Sequence, residues 1–343
     1  MLWERHSGRN CDLGPRRALA GAASLSCVVL LAAIQATTES AATPAYPSRP
    51  ITMIVPYPAG GQADTIGRII AAHMRATLGQ PLIIENVGGA SGSIGVGRVA
   101  RAAADGYTLA FGSFSNFVVN GAVYPLKYDL LNDFDPISLL PSHPMMIVGR
   151  KSLPPNDLKE LIAWLRANPD KATQGTSGVG AMSHLAGILF QKQTGTRFQL
   201  VTYRGTAMAD LVAGHIDLMI DNAANSLPQV RAGTIKAYAV AAKNRMAAAP
   251  EFPTADEAGL PGFHMSLWNG LWTSRGAPKP VIATLNAAVV DALADPAVKQ
   301  RLAALGLEIF PREMQTPEAL TAFQKAETEK WWPIIKTAGI TAE

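Results

Sequence analysis

One unit recurs along the chain and constrains its fold more than any other feature: a short apolar run, a loop rich in glycine and hydroxyl residues, and an amphipathic helical stretch. The unit first occurs at Ile51–Val55, with a loop at 56–64 and a helix that extends through Met74. It recurs at Leu82–Glu85, where the loop is Gly88–Gly92. Alternation of this kind is typical of a parallel sheet covered by helices, so the sequence predicts an α/β fold.

Similar units extend over the rest of the chain. The order of strand, loop and helix begins again near residue 149, and the roughly 300 residues after the N-terminal leader suffice for two lobes. We expect lobe 1 at 46–148 and 272–343, and lobe 2 at 149–271. The further predicted strands are Leu109–Gly112, Met145–Val148, Ala172–Gly175, Gln199–Thr202, Leu218–Ile220, Ala237–Ala241 and the crossing segment Leu267–Thr273, and the further helices are Leu158–Asn168, one from about Ser183, Lys279–Ala294 and Pro317–Ala338.

Residues 1–42 have the composition of a signal peptide. Arg16 and Arg17 precede the uncharged apolar run Ala18–Ile34, and small residues suited to cleavage stand at 40–42. A membrane anchor is the alternative, but the run is shorter than the roughly 20 residues that span a bilayer. We expect export to the periplasm and removal of the leader, by either the general or the twin-arginine route.

Composition and motifs argue against several classes of function. The formal charge of +4 comes without a Lys/Arg block interleaved with aromatics, so nucleic-acid binding is not expected. Both cysteines, Cys11 and Cys27, lie in the leader, which leaves the mature chain without a thiol nucleophile or a thiolate metal site. His73 and His184 have no companion ligand at metal-binding spacing, and the loose dinucleotide fingerprint at 95–100 falls within a predicted helix. We expect no cofactor and no metal.

The glycines and hydroxyl residues concentrate where predicted strands end and helices begin, at 60–61, 88–92, 113–116 and 176–180. In an open parallel sheet these junctions lie outside the carboxyl ends of the strands, where ligands bind. Glycine allows close backbone approach, and the unpaired N–H groups of a helix start favour a carboxylate or phosphate. The alternative is that the glycines only permit tight turns. Four such loops favour an anion site.

Two acidic residues near these loops each have two interpretations. Asp64 either caps the first helix or contacts an amine or hydroxyl of the ligand. Asp221 follows the strand Leu218–Ile220, where its side chain would suit an amino group, a hydroxyl group or a bound water. No partner of opposite pKa tendency is apparent for Asp221, which argues against acid/base catalysis.

Four other side chains of the second half of the chain have the same ambiguity. His184 either lines a cleft or supports the turn beside Ser183. Tyr203 either contacts a ligand or plays no part in binding, and Arg204 either clamps a carboxylate or is solvated. Trp268, in the crossing segment, either forms a wall of the cleft or belongs to the core.

The mature chain resembles the extracytoplasmic receptors of the tripartite tricarboxylate transporter family, also called Bug-type solute-binding proteins. The resemblance rests on the joint order and spacing of short motifs that span nearly all of it. These are Pro47-Ser48-Arg49-Pro50-Ile51, Pro56-Tyr57-Pro58-Ala59-Gly60-Gly61 with Asp64, Asp105-Gly106-Tyr107-Thr108-Leu109, Gly178-Val179-Gly180 with Ser183-His184-Leu185, Tyr203-Arg204-Gly205, Gly214-His215-Ile216-Asp217 with Asp221, and Trp268-Asn269-Gly270. The chain departs from the family at Val87-Gly88, where Arg-Pro is common, and at Thr202, where proline is frequent.

The resemblance implies a type II periplasmic-binding-protein fold whose two lobes close around one small carboxylate and deliver it to the membrane permease subunits of a tripartite transporter. It implies that the first two strand-to-helix loops hold the carboxylate, partly through waters, and that lobe 2 completes the cleft. We expect a monomer. The residues carried over are Tyr57, Ala59, Gly60, Gly61, Gly89, Ala90 and Ser91, with Ser113, Thr176, Ser177, Ser183, Tyr203 and Asp221 beside them.

Two other classes of function remain open at this stage. A lyase or transferase that acts on a carboxylate could use the same two-lobed fold, because a fold alone does not determine function. A sensory module could present its liganded form to a membrane partner. The missing acid/base pair argues against the enzyme.

Overall fold

The computed structural model describes residues 46–203 and 205–341. The predicted signal peptide and Arg204 lie outside the described residues. From Tyr46 onward the chain forms one compact unit of alternating strands and helices. The α/β pattern predicted from the sequence is therefore present in the structure.

Nine strands and ten α-helices, with three short turns of other helical type, are found in the described residues. The strands are β1 Ile51–Val55, β2 Leu82–Asn86, β3 Thr108–Ser113, β4 Phe134–Arg150, β5 Thr173–Thr176, β6 Gln199–Thr202, β7 Leu218–Asn222, β8 Ile235–Val240 and β9 Ser266–Ser274. The helices are α1 Gln62–Leu78, α2 Ser93–Ala100, α3 Asn120–Val123, α4 Leu158–Ala167, α5 Met182–Thr194, α6 Met208–Ala213, α7 Ala223–Arg231, α8 Lys279–Ala294, α9 Pro296–Ala304 and α10 Pro317–Thr337. The short turns are Ala90–Gly92, Ser115–Val119 and Arg312–Met314.

All nine strands belong to one sheet with the order β2-β1-β3-β9-β4-β7-β5-β6, in which β8 pairs with β4. Strands β1, β2 and β3 are parallel to one another, as are β5, β6 and β7. Strand β9 lies antiparallel between β3 and β4. We call β1, β2, β3, β9 and residues 134–144 of β4 the first half of the sheet, and the remaining strands with residues 145–150 of β4 the second half.

Strand β4 passes from one half into the other and fixes where the loops lie. Strands β1 to β3 run in the direction of β4, because β9 is antiparallel to both β3 and β4. Strand β7 is antiparallel to β4, so β5 to β7 run the opposite way. The carboxyl ends of both sets therefore point toward the middle of β4. In the register, Ser113 at the end of β3 aligns through Asn269 with Leu140, and Asn222 at the end of β7 lies opposite Met145.

The sequence predicted only the last part of β4, at Met145–Val148, and the strand is 17 residues long. Its earlier part contains Pro136, Pro141 and Pro144, and proline normally argues against a central strand because it cannot donate to the ladder. The strand accommodates them with register shifts against β9, between Pro136 and Ser138 and between Leu140 and His143. The irregular part of β4 thus coincides with the place where the strand changes its neighbours.

Apolar side chains on both faces of the sheet form the core. Strand β1 is almost wholly buried, as a strand covered on both faces should be. Helix α1 packs against it through Ile66, Ile69, Ile70 and Met74, whose spacing places them on one helix face. No single helix of residues 46–203 and 205–341 is long and apolar enough to cross a membrane, and only α8 and α9 together, which are bent by 71°, have the length and composition.

Candidate functional site

The loop after β1 begins the candidate site, and Tyr57 holds it against the end of β3. The Tyr57 hydroxyl lies 2.5 Å from Ser113 Oγ, and Asn116 Nδ2 donates to it at 3.2 Å. Burial raises the pKa of this hydroxyl, so it stays protonated. Beyond Tyr57, the backbone of Ala59, Gly60 and Gly61 is exposed. The loop is therefore fixed at its base and open at its tip.

Asp64 fixes the tip of the same loop from within α1. Its side chain is only 3% exposed, and its oxygens accept from Gly60 N–H at 2.9 Å, Arg68 Nε at 2.9 Å and Asn86 Nδ2 at 3.0 Å. The hydrogen bond from Arg68 is the main cause that lowers the pKa of this carboxyl. Of the two interpretations of Asp64, this contact set favours the structural one, in a modified form. The carboxylate accepts from the N–H of Gly60, the residue before the N-cap Gly61, as an acidic side chain in the first turn of a helix can.

The loop after β2 has an unusual backbone. Four consecutive residues, Gly89, Ala90, Ser91 and Gly92, have φ of 103°, 46°, 51° and 88°. For Ala90 and Ser91 this conformation costs about 1–3 kcal/mol each. The sequence predicts the freedom of the glycines here but not the strain at the two residues between them.

Side chains from the turn after β3 hold this strained loop. Tyr124 Oη lies 2.8 Å from Ser91 Oγ, and Asn120 Nδ2 donates to the Ser91 carbonyl at 2.9 Å. Residues 88–91 are nevertheless exposed. Successive backbone groups in turns of this kind form concave surfaces that bind anions.

Gly92 brings the three first-half loops into contact. A Cβ atom at this position would lie 3.0 Å from the Pro56 carbonyl oxygen and 3.1 Å from Asn116 Nδ2. Pro56 belongs to the loop after β1, and Asn116 to the turn after β3. The first-half loops thus form one connected cluster, and a side chain at position 92 would push the loop after β1 and the turn after β3 away from the loop after β2.

In the second half, the loop after β5 is closed by hydrogen bonds to the first turn of α5. Ser177 N–H donates to Ser183 Oγ at 2.9 Å, and the two hydroxyl oxygens are 3.0 Å apart. Gly180 N–H donates to His184 Nδ1 at 3.3 Å. Burial lowers the pKa of His184, which favours the neutral ring that this bond requires. Thr176 is buried at the end of β5. His184 therefore supports the turn, as one of its two interpretations proposed.

The loops after β6 and β7 differ in how far their polar groups are engaged. The Tyr203 hydroxyl donates to Asp210 Oδ2 at 2.6 Å, which raises the pKa of Tyr203. Asp221 is 8% exposed, and its Oδ2 accepts from Asn225 Nδ2 at 3.3 Å. Burial raises the pKa of the Asp221 carboxyl. Next to it, Asn222 Oδ1 and Ser226 Oγ are buried without a hydrogen-bond partner in the described part of the chain.

Trp268 lies in the core, the second of the two interpretations given above. Its side chain is 0% exposed, packs edge-on against Phe114 and Phe323, and donates through its indole N–H to Glu327 at 3.3 Å. A position on the central strand β9 places its ring under the helices, where it cannot touch a ligand in this conformation. Arg204 is outside the described residues.

Several residues that organise the site were missed by the sequence reasoning, namely Asn86, Asn120, Tyr124 and His143. A usable signal existed for Asn86, which ends β2 next to the glycine loop. For the others the sequence gives little indication, since their partners come from distant parts of the chain. Within residues 46–203 and 205–341, no group of three or more His, Cys, Asp or Glu side chains is placed to hold a metal ion.

The two sets of loops face each other across β4 without touching through polar groups. No hydrogen bond between described residues joins the first-half loops, at 56–62, 86–92 and 113–124, to the second-half loops, at 176–184, 203–207 and 221–226. The chemistry available there is that of backbone N–H groups, hydroxyls, amides and the two buried carboxyls of Asp64 and Asp221. Such a set can bind an anion and orient its substituents.

Comparison with known proteins gives three consistent results. The family model described as "Tripartite tricarboxylate transporter family receptor" matches residues 66–340. A protein of Agrobacterium vitis, described as a UPF0065 protein in the TAR-I ttuE-ttuC' intergenic region, is 42% identical over 314 residues, which are 91% of this chain and 90% of that protein.

Two solved structures are similar over their whole length. The periplasmic binding protein BugD is 38% identical with a TM-score of 0.67, and the match covers 87% of this chain and 100% of that one. MatC from Rhodopseudomonas palustris with bound malate is also 38% identical with a TM-score of 0.67, covering 84% and 100%. The fold predicted from the resemblance, that of a periplasmic binding protein, is confirmed.

Proposed function

The chain belongs to the tripartite tricarboxylate transporter receptor family, and we propose that it captures one small carboxylate between the two sets of loops and delivers it to the membrane subunits of such a transporter. The observation that carries this proposal is the connected cluster of first-half loops. Its tip is exposed, and hydrogen bonds from Asp64, Asn120 and Tyr124 fix its shape before any ligand arrives. A binding site ordered in advance loses less conformational entropy when the ligand binds.

In this proposal the loops at 57–61 and 89–91 hold the carboxylate through backbone groups. The exposed Ser177 lines the site, and the buried hydroxyls of Ser113, Thr176 and Ser183 hold its walls. Asp64, His184 and Tyr203 act by positioning the loops. No arginine is required, because several N–H groups and helix starts together stabilise one negative charge. The MatC structure, whose ligand is malate, supports a carboxylate ligand for this chain.

Asp221, Asn222 and Ser226 are proposed to form hydrogen bonds with the part of the ligand beyond its carboxylate. A buried carboxyl with a raised pKa disfavours a second anion beside it and accepts from a hydroxyl or amino group. Asn222 Oδ1 and Ser226 Oγ offer further polar groups that the described protein residues leave without partners. The favoured ligand is therefore a small carboxylate that carries a hydrogen-bond donor.

We propose two lobes, 46–148 with 272–343 and 149–271, which coincide with the two halves of the sheet except at β9, whose residues 266–271 belong to the range of lobe 2 but pair within the first half. Strand β4 passes from one half to the other and changes its neighbours near its middle, and β9 is the second proposed crossing. A ligand that contacts both loop sets stabilises the closed arrangement over the open one by its additional contacts. Closure then presents a liganded surface to the transporter.

A periplasmic location and a monomeric state complete the proposal. BugD, whose whole length matches 87% of this chain, is named a periplasmic binding protein. The predicted signal peptide at 1–42 agrees with that location. We propose binding without turnover. Of the two buried carboxyls of the site, Asp64 is engaged by three donors, and Asp221 is hydrogen-bonded to an amide and to no second acid or base among the described residues.

A thermal-shift screen tests the ligand class. The panel is L-malate, succinate, citrate, benzoate, L-glutamate and, as a neutral control, glucose. A ligand at 100 times its Kd stabilises the folded state by about 2.7 kcal/mol, which raises the Tm by several degrees. We expect a carboxylate to give this shift and glucose to give none.

The same samples separate binding from catalysis. The bound carboxylate, released by denaturing the protein, should be recovered unchanged in an NMR spectrum after prolonged incubation. A shift with glucose alone would contradict the carboxylate assignment, and chemical conversion of the ligand would contradict the absence of turnover.

A further inference from the structure

His143 lies at the place where β4 passes from the first half of the sheet to the second. Between Leu140 and His143 the register of β4 against β9 shifts, so that Pro141 and Ser142 stand opposite Trp268 alone. Such a β-bulge bends a strand and changes the direction of a side chain, and bulges are frequent beside binding sites.

The backbone of the bulge is held from both sides. Asn269 Nδ2 donates to the Pro141 carbonyl at 2.6 Å. Ser142 and Glu308 exchange two backbone hydrogen bonds of 2.9 Å each. The irregularity is therefore a stabilised feature of the strand.

The His143 side chain extends from the bulge to the first ligand loop. It is 3% exposed, and Gln62 Nε2 donates to its Nδ1 at 3.2 Å. An amide nitrogen only donates, so Nδ1 is the acceptor and the ring proton is on Nε2. Burial lowers the pKa of His143 to about 4, which keeps the ring neutral and Nδ1 able to accept near neutral pH.

Gln62 connects this contact to the binding loop. It is the first residue of α1 and directly follows Gly60 and Gly61, which the proposed function places on the carboxylate. Asp64 ties the loop to the first half through Arg68 and Asn86. Gln62 ties the same loop to β4, the strand that must bend if the halves close.

We infer that His143 is a positioning residue that couples the bulge of β4 to the first ligand loop, so that bending of the strand and the shape of the carboxylate site change together. This inference rests on the proposed function for its effect on affinity. Its structural part, the control of the loop by the strand, does not depend on a ligand.

A matched pair of substitutions tests the contact. The amide of asparagine occupies the position of Nδ1, so His143→Asn keeps a hydrogen-bond partner for Gln62. The amide of glutamine reaches the position of Nε2, so His143→Gln removes that partner while keeping a polar side chain of similar size. Gln62→Ala removes the donor of this hydrogen bond. Because Gln62 is exposed, this substitution carries little risk to folding.

Hydrogen exchange of the ligand-free protein gives the first readout. We expect the amides of 59–64 to exchange at least severalfold faster in His143→Gln and Gln62→Ala, and at nearly the rate of the unmodified chain in His143→Asn. Equal rates in all four proteins would overturn the inference, whether or not a carboxylate binds.

Calorimetric titration with the best-binding carboxylate of the panel gives the second readout. We expect His143→Gln and Gln62→Ala each to weaken binding about tenfold, the double variant to be no weaker than either, and His143→Asn to stay within about threefold of the unmodified chain. Additive losses in the double variant would mean that the two residues act separately and would overturn the coupling. Failure of every panel member to bind the unmodified chain would instead contradict the proposed function, leaving the exchange result to decide the inference.

Discussion

The two loop sets at the middle of β4 differ in how completely their polar groups are engaged within the protein. In the first half, Asp64 accepts from three donors and Tyr57 is bonded to both Ser113 and Asn116. In the second half, the turn after β7 carries a buried carboxyl with one amide contact and two buried polar atoms that have no partner among the described residues. One set is internally complete, and the other is not.

This difference indicates a division of labour. Buried polar groups in folded proteins nearly always have a hydrogen-bond partner, so groups left without one are where a ligand or water can supply it. In the proposed function, the complete set holds the carboxylate that all ligands of the class share. The incomplete set distinguishes among members of the class. The comparison therefore predicts that first-half substitutions affect every ligand, and second-half substitutions affect some ligands more than others.

The most severe way to break the first half is to remove the Asp64 carboxylate. Asp64→Ala leaves the Gly60 N–H without its acceptor and Arg68 without its ion-pair partner, and it removes one of the two acceptors of Asn86 Nδ2. We expect this to cost about 3 kcal/mol of unfolding free energy. Affinity for every panel carboxylate should fall together. Urea unfolding and calorimetric titration measure the two effects.

The Asp64 effect should also depend on pH. The folded-state pKa of Asp64 is lowered, so its contribution is complete above 3.8, its ordinary value, and is lost as the pH falls through the folded value. The matched control is Glu85→Ala, which removes an exposed ion pair with Arg98 and should cost less than about 1 kcal/mol. Equal losses in the two variants would show that the loop is not held by Asp64.

Gly92→Ala tests whether the first-half loops act as one cluster. The added Cβ would sit 3.0 Å from the Pro56 carbonyl oxygen at a φ of 88°, and we expect a loss of about 2 kcal/mol in unfolding free energy and weaker binding of all carboxylates. Gly60→Ala is the control, because its φ of 78° is also positive but no atom lies within 4 Å of the added Cβ. It should cost only the strain, about 1 kcal/mol. If the two variants were equally stable in urea, close contact between the loops would not matter.

Much of this arrangement follows from the sequence because it is local. The boundaries of β1, β6 and α8 agree with the prediction, since a run of apolar residues and its flanking turn are read directly from neighbouring positions. The positions of the glycine-rich loops were also predicted, because each loop directly follows a predicted strand, whereas anion binding by these loops stays a prediction. The roles of Asp64, Tyr203 and Trp268 stayed open, since each depends on a contact at the surface or in the core that spacing cannot give.

The residues that sequence reasoning missed act over long range. Tyr124 reaches Ser91 across 33 positions, and Gln62 reaches His143 across 81. The prolines of β4 concealed the strand that carries His143, because proline argues against a strand unless a bulge compensates. Contacts of this kind are set by the packing of the whole sheet, which no local pattern encodes.

Asp221→Asn is the mildest test and the one that sharpens the comparison most. The amide keeps the shape of the side chain and a partner for Asn225, but it accepts less strongly from a ligand hydroxyl than a carboxylate does. We expect the preference for malate over succinate to fall about tenfold, or about 1.4 kcal/mol, with little change in succinate affinity. Because burial raises the folded-state pKa of Asp221, the stability of the unmodified chain relative to the variant is greatest below 3.8, the ordinary pKa, and is lost as the pH rises through the folded value.

Asp170→Asn, which alters an exposed carboxylate of the same half paired with Arg197, should change neither preference nor affinity. An equal loss for malate and succinate in Asp221→Asn would mean that the second half holds the shared carboxylate as well, and the division between the two loop sets would not stand.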